Sequence, residues 1–113
     1  RERERRRREA QEAAQRRLVS KAQRAANQVI KRVIAEYEPK QVYQAGSLVD
    51  SDRFTAISDI DIAISGLTPA ELEEISDWAE EKSSFPVDIL DLDRAEQKHI
   101  DSITSNGRQV YPQ

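Results

Sequence analysis

The stretch Ser58-Asp59-Ile60-Asp61-Ile62-Ala63-Ile64 constrains this chain more than any other. Its two-residue alternation suits a β-strand, because side chains there point to opposite faces in turn. Ile60, Ile62 and Ile64 then share a face oily enough to lie on a core. Asp59 and Asp61 share the other, about 7 Å apart at the backbone and close enough to converge on one hard cation. Any fold for this chain must bury the isoleucines and leave the acids open.

A third acid has the same setting. Pro86 opens a second alternating run, Val87-Asp88-Ile89-Leu90, which reads as a strand. Neighbouring strands lie about 4.8 Å apart, so Asp88 can complete a three-carboxylate cluster that repels itself without a divalent cation. Mg²⁺ is the expected counter-charge, since it takes a few carboxylates together with substrate phosphates and water. The chain has no Cys and one His, which excludes a structural zinc site. Upstream, the short strand Gln41-Val42-Tyr43-Gln44-Ala45 runs into Gly46-Ser47. A glycine lets backbone approach a phosphate, and the serine hydroxyl with the amides after it can donate to triphosphate oxygens. Arg53 is either a phosphate-neutralising cation or an ordinary surface arginine. Each fragment alone is common; the order strand, Gly-Ser, Asp-x-Asp strand, helix, Asp-bearing strand is far more specific.

The remaining elements follow from periodicity. Ala14, Leu18, Ala22, Ala25, Val29, Val33 and Tyr37 recur at three- and four-residue steps, which predicts an amphipathic helix over 1–38 that Pro39 ends. Its part from about Leu18 is expected to pack on the sheet, and its Ala-rich outer part to project or meet a partner. Thr68-Pro69-Ala70-Glu71 is a capping box that starts a second helix, with Leu72, Ile75, Trp78 and Ala79 as its buried face. Asp93-Arg94-Ala95-Glu96 is expected to cap a third, closing in a left-handed turn at Asn106-Gly107. Val110-Tyr111 supplies a last short strand. His99, without a Cys or His companion, reads as a surface or partly buried residue.

Charge is uneven along the chain. Residues 1 to 36 carry 12 Lys or Arg against 5 Asp or Glu, whereas residues 37 to 113 carry 6 against 16. The opening RERERRRRE could contact nucleic acid, but Glu2 with Arg6, Glu4 with Arg8 and Glu12 with Arg16 are spaced as pairs on a solvated helix. Without interleaved aromatics, the run argues against direct nucleic-acid binding. Zero Cys and the lack of a long apolar run exclude disulfides and a membrane helix, and make the cytoplasm the default compartment.

Taken in order, Gly46, Ser47, Ser58, Asp59, Asp61 and Asp88 make the chain resemble the minimal nucleotidyltransferases of the DNA polymerase β superfamily, and within them the antitoxins paired with HEPN-domain toxins. The likeness covers nearly the whole chain. It implies an α+β fold with a polymerase-β-like nucleotidyltransferase core over 40–113, a small mixed sheet with helices on one face, and the long N-terminal helix, all as one domain over 1–113. It also implies Asp59, Asp61 and Asp88 as catalytic metal ligands and Gly46, Ser47, Ser58 and Arg53 around the nucleotide. The implied reaction is Mg²⁺-dependent transfer of AMP from ATP to a tyrosine of a HEPN-type toxin. The alternatives are a protein-binding antitoxin without catalysis and an aminoglycoside-type transferase acting on a small molecule.

Overall fold

The computed structural model describes the backbone of residues 1–113 and every side chain but that of Ser51. Among the described residues, three helices and four strands follow one another: α1 (Glu2–Tyr37), β1 (Gln41–Ala45), β2 (Ile60–Ser65), α2 (Pro69–Lys82), β3 (Val87–Asp91), α3 (Gln97–Asn106) and β4 (Arg108–Tyr111). Two short 3-10 turns, Gly46–Leu48 and Ser51–Arg53, lie between β1 and β2. The strands form one mixed sheet in the order β3-β2-β1-β4. β1 runs antiparallel to both β2 and β4, and the α2 crossover makes β3 parallel to β2. A parallel neighbour needs such a crossover.

Alternation along β2 decides which face is buried. Ile60, Ile62 and Ile64 are fully buried and pack with Val42, with Ala22, Ala26, Val29 and Val33 of α1, and with Leu72, Ile75 and Ala79 of α2. Each such isoleucine contributes about 1.5–3 kcal/mol through burial. Gln44, the polar exception on this face, is completely buried and satisfied: its amide and that of Gln23 on α1 donate to each other's oxygens at 2.7 and 2.8 Å. That reciprocal pair ties α1 to β1, and leaving either member alone would strand a buried amide.

α1 is the long axis of the molecule. Its 36 residues account for about 54 Å at 1.5 Å per residue, against a longest extent of 55 Å. Residues 1–12 are all exposed, and burial begins in earnest at Ala22. Among the described residues, Glu2 pairs with Arg6 at 3.8 Å and also with Arg5, but the expected Glu4–Arg8 and Glu12–Arg16 pairs do not form. The helix stops at Tyr37; Glu38 takes a left-handed conformation (φ 52°) and the buried Pro39 follows. At the start of α2, both hydrogen bonds of the capping box form between Thr68 and Glu71.

Three further details depart from the sequence-based expectation. α1 and α2 cover one face of the sheet as expected, but α3 crosses to the other, where Ile103 packs with Ala45, Ala63 and Leu92. The end of α3 is not left-handed: Gly107 has φ −85°. Glycine is needed there for close approach, since a Cβ would stand 2.5 Å from the Ile103 carbonyl oxygen and 2.9 Å from that of Gln44. Trp78 is half-buried rather than central, because Arg32 of α1 lies over its ring, 4.1 Å from the centroid, and its indole N–H donates to the Tyr37 hydroxyl at 3.2 Å.

Candidate active site

β2 and β3 bring the acids together through register. Asp61 and Asp88 are direct partners in the parallel ladder, on the face opposite the isoleucines. Asp59 sits one residue ahead of β2, at its mouth, and completes the group: one carboxylate oxygen from each of Asp59, Asp61 and Asp88 lies within 4.8 Å of the others. Asp59 and Asp88 are exposed, while Asp61 is half-buried. Burial pushes the Asp61 carboxyl up to about 6, and the charges of Asp88 and then Asp59 push in the same direction. An all-oxygen donor set under mutual repulsion fits a hard divalent cation, and the residues present therefore suit Mg²⁺.

Gly46 sits directly against this cluster. β1 places Ala45 beside Asp61 in the antiparallel ladder, so the next residue turns over the Asp61 side chain. Gly46 has φ 71°, and a Cβ at this position would stand 1.9 Å from Asp61 Oδ2. Two independent reasons thus require glycine: the left-handed backbone and the space occupied by a carboxylate. Ser47 follows, half-buried in the 3-10 turn.

The loop from Val49 to Ser58 is held by one residue that sequence reasoning missed. Phe54 is 1% exposed, its ring 5.8 Å from that of Phe85 at an interplanar angle of 57°, and its carbonyl accepts a 2.7 Å hydrogen bond from the Gln15 amide of α1. A single Phe in a polar stretch carries no periodic signal, which is why it escaped. Beyond it, Ser58 Oγ accepts from the Thr55 amide at 2.9 Å and lies 3.1 Å from Thr55 Oγ1. Ser58 therefore closes the turn that delivers Asp59. The tip of that turn leaves Ile57 88% exposed.

A cleft of about 610 Å³ opens beside Asp61, the one member of the triad that lines it, together with Leu90 and with Gly46, Ser47, Asp50 and Arg53 of the loop after β1. Its other wall is α3, with His99, Ser102 and Asn106. His99 is exposed, as the sequence suggested, but it faces this cleft. The signal was present in the spacing: residues 99, 102 and 106 share one helical face.

The sequence profile of the family described as polymerase beta, nucleotidyltransferase matches residues 28–113. The chain belongs to this nucleotidyltransferase family. Solved structures agree on the fold. A chain of the MntA-HepT toxin-antitoxin crystal structure matches at 22% identity with a TM-score of 0.62, covering 80% of this chain and 73% of that one. A toxin-antitoxin structure with AMP-PNP matches at 23% identity and a TM-score of 0.63, covering 76% and 73%. A mutant of the complex matches at 24% and 0.64, covering 78% and 72%. No curated protein matches the chain. As a family member, this nucleotidyltransferase presents its candidate carboxylate triad where β2 and β3 meet. Among its described residues, no helix is long and apolar enough to cross a membrane.

Proposed function

We propose that this nucleotidyltransferase moves AMP from ATP to a tyrosine hydroxyl of a HEPN-type partner and serves as the antitoxin of the pair. The observation that carries the chemistry is the convergence of Asp59, Asp61 and Asp88 beside the Gly46-Ser47 turn. The acceptor and the role rest on the fold likeness to the MntA-HepT toxin-antitoxin, one relative of which was crystallised with AMP-PNP.

In this reading Asp59, Asp61 and Asp88 hold Mg²⁺. When bound, it supplies the positive charge that lets a polyphosphate approach three carboxylates and that stabilises the leaving pyrophosphate. The Gly46 turn and the Ser47 hydroxyl orient phosphate oxygens, and Arg53 adds a cation on the same side of the cleft. Ser58 acts at one remove, by fixing the turn that sets Asp59. The tyrosine oxygen attacks the α-phosphorus, a new O–P bond forms, the bond to the bridging α–β oxygen breaks, and pyrophosphate departs. In this reading Asp88, exposed like Asp59, takes the hydroxyl proton.

Mixing the purified chain with its HEPN-domain partner, ATP and Mg²⁺, then weighing the partner by mass spectrometry, tests the reaction. A gain of one AMP on a tyrosine is expected. A stable complex with no mass gain would replace it with a binding antitoxin, and a gain on an added aminoglycoside instead would replace it with a small-molecule transferase.

A further inference from the structure

The cleft beside Asp61 has two chemically different ends. One is made by Gly46, Ser47 and Arg53, which suit phosphate. The other is the α3 wall, where His99, Ser102 and Asn106 line the cleft at steps of three and four residues. Packing fixes that wall: Ile103, on the same side of α3, is 5% exposed against the sheet, so the face cannot rotate away. Asn106 Nδ2 lies 3.5 Å from Ser102 Oγ, one turn apart, and both residues line the cleft. Asp50, on the loop side, repels phosphate but accepts hydrogen bonds from hydroxyls.

We infer that the α3 wall is the nucleoside subsite: the base lies against His99, Asn106 reads its edge, and Asp50 faces the sugar. The inference rests on the nucleotidyltransferase reading above and adds specificity-determining residues to it. The volume, about 610 Å³, is that of a small-molecule site. Leu90 and Ile103 provide an apolar floor, and an imidazole ring stacks on any base. A side-chain amide pairs with the N6 and N7 edge of adenine in particular, so the site favours adenine over guanine.

Calorimetric titration of the full chain with ATP, GTP and inorganic tripolyphosphate, each with Mg²⁺, tests this. His99→Ala is expected to weaken ATP about tenfold through lost stacking, with tripolyphosphate unchanged and with His99→Phe restoring ATP. Asn106→Ala should narrow the preference for ATP over GTP. Both residues are exposed, so melting of each variant is expected to match the parent and serves as the fold control. Parent-like ATP affinity in His99→Ala and Asn106→Ala together would overturn the subsite. So would an equal loss for ATP and tripolyphosphate, which would place these residues at the phosphates. Unchanged ATP affinity with lost transfer to the partner would give the wall to the acceptor instead. If the parent chain binds neither ATP nor tripolyphosphate, the nucleotidyltransferase reading fails and this inference falls with it.

Discussion

Residues 2–12 of α1 are dense in charge and the segment from Gly46 to Asp61 mixes acids with polar and apolar residues, and the two are constrained in opposite ways. The outer helix is exposed throughout and holds its shape by local spacing and a few surface ion pairs, each worth little. The loop segment has little regular structure, but Gly46 has no room for a Cβ, Phe54 is locked between Gln15 and Phe85, and Ser58 closes the turn before Asp59. Regularity along the chain and constraint in space are therefore separate properties. In this molecule the irregular segment tolerates less change than the regular one.

Phe54→Ala should produce the largest effect and is the sharpest way to break that comparison. Removing a ring that is 1% exposed is expected to destabilise the protein by about 3–5 kcal/mol, read by denaturant unfolding. A loss as small as that of an exposed substitution would mean that the loop is not part of the core.

Asp61→Asn should split activity from stability. Nucleotide transfer is expected to fall by about 10²–10³-fold, equivalent to roughly 2.7–4 kcal/mol in the barrier, while the metal-free variant melts no lower than the parent. The sign follows from the carboxyl at about 6 against an ordinary 3.8: between those values the folded state binds more protons than the unfolded one, so this group's contribution to stability falls as pH rises and levels off above about 6. Melting of the metal-free protein across that window should show the decline, Asp61→Asn should flatten it, and Mg²⁺ should offset it at the high-pH end. A parent profile without that decline would mean that neither burial nor the charges of Asp88 and Asp59 hold the Asp61 carboxyl up.

How much of this was legible beforehand depends on how local the signal was. Ile60, Ile62 and Ile64 against Asp59 and Asp61 could be assigned to faces because strand alternation is a property of the sequence itself, and Asp88 followed from the same pattern on β3. The capping box of α2 was equally local. The side taken by α3 was not, because it depends on which sheet face still has apolar surface to cover once α1 and α2 are in place; Ala45 and Ala63 leave room there for Ile103. Gly46 was read as a phosphate turn, but its closeness to Asp61 exists only once β1 and β2 are paired. Trp78 was assigned to the buried face of α2 by its helical spacing with Leu72 and Ile75, but Arg32, distant in sequence, caps it.

Gly46→Ala tests the tightest of these contacts. The left-handed φ of 71° and the 1.9 Å approach to Asp61 Oδ2 oppose any Cβ, so a loss of about 1–3 kcal/mol in stability is expected. Transfer activity should fall as well, since the clash moves a triad carboxylate. Retained activity with lowered stability would show that the backbone strain matters and the position of Asp61 does not.

The smallest effect should come from the other region. Deleting residues 1–12 removes only exposed side chains and ion pairs at the helix surface, leaving Gln15 on the Phe54 carbonyl and the packed stretch from Ala22 to Val33 intact. Surface changes of this kind stay within about 0.5 kcal/mol. The truncated chain is therefore expected to melt like the parent and to bind Mg²⁺ and ATP with the same affinity by calorimetry, because no residue of the deleted stretch lines the cleft. A large drop in melting temperature would show that the outer turns are needed to hold α1 on the sheet. A weaker complex with the partner at unchanged melting would instead give this basic stretch, with 6 arginines in its first 8 residues, a role in docking that its own fold does not require.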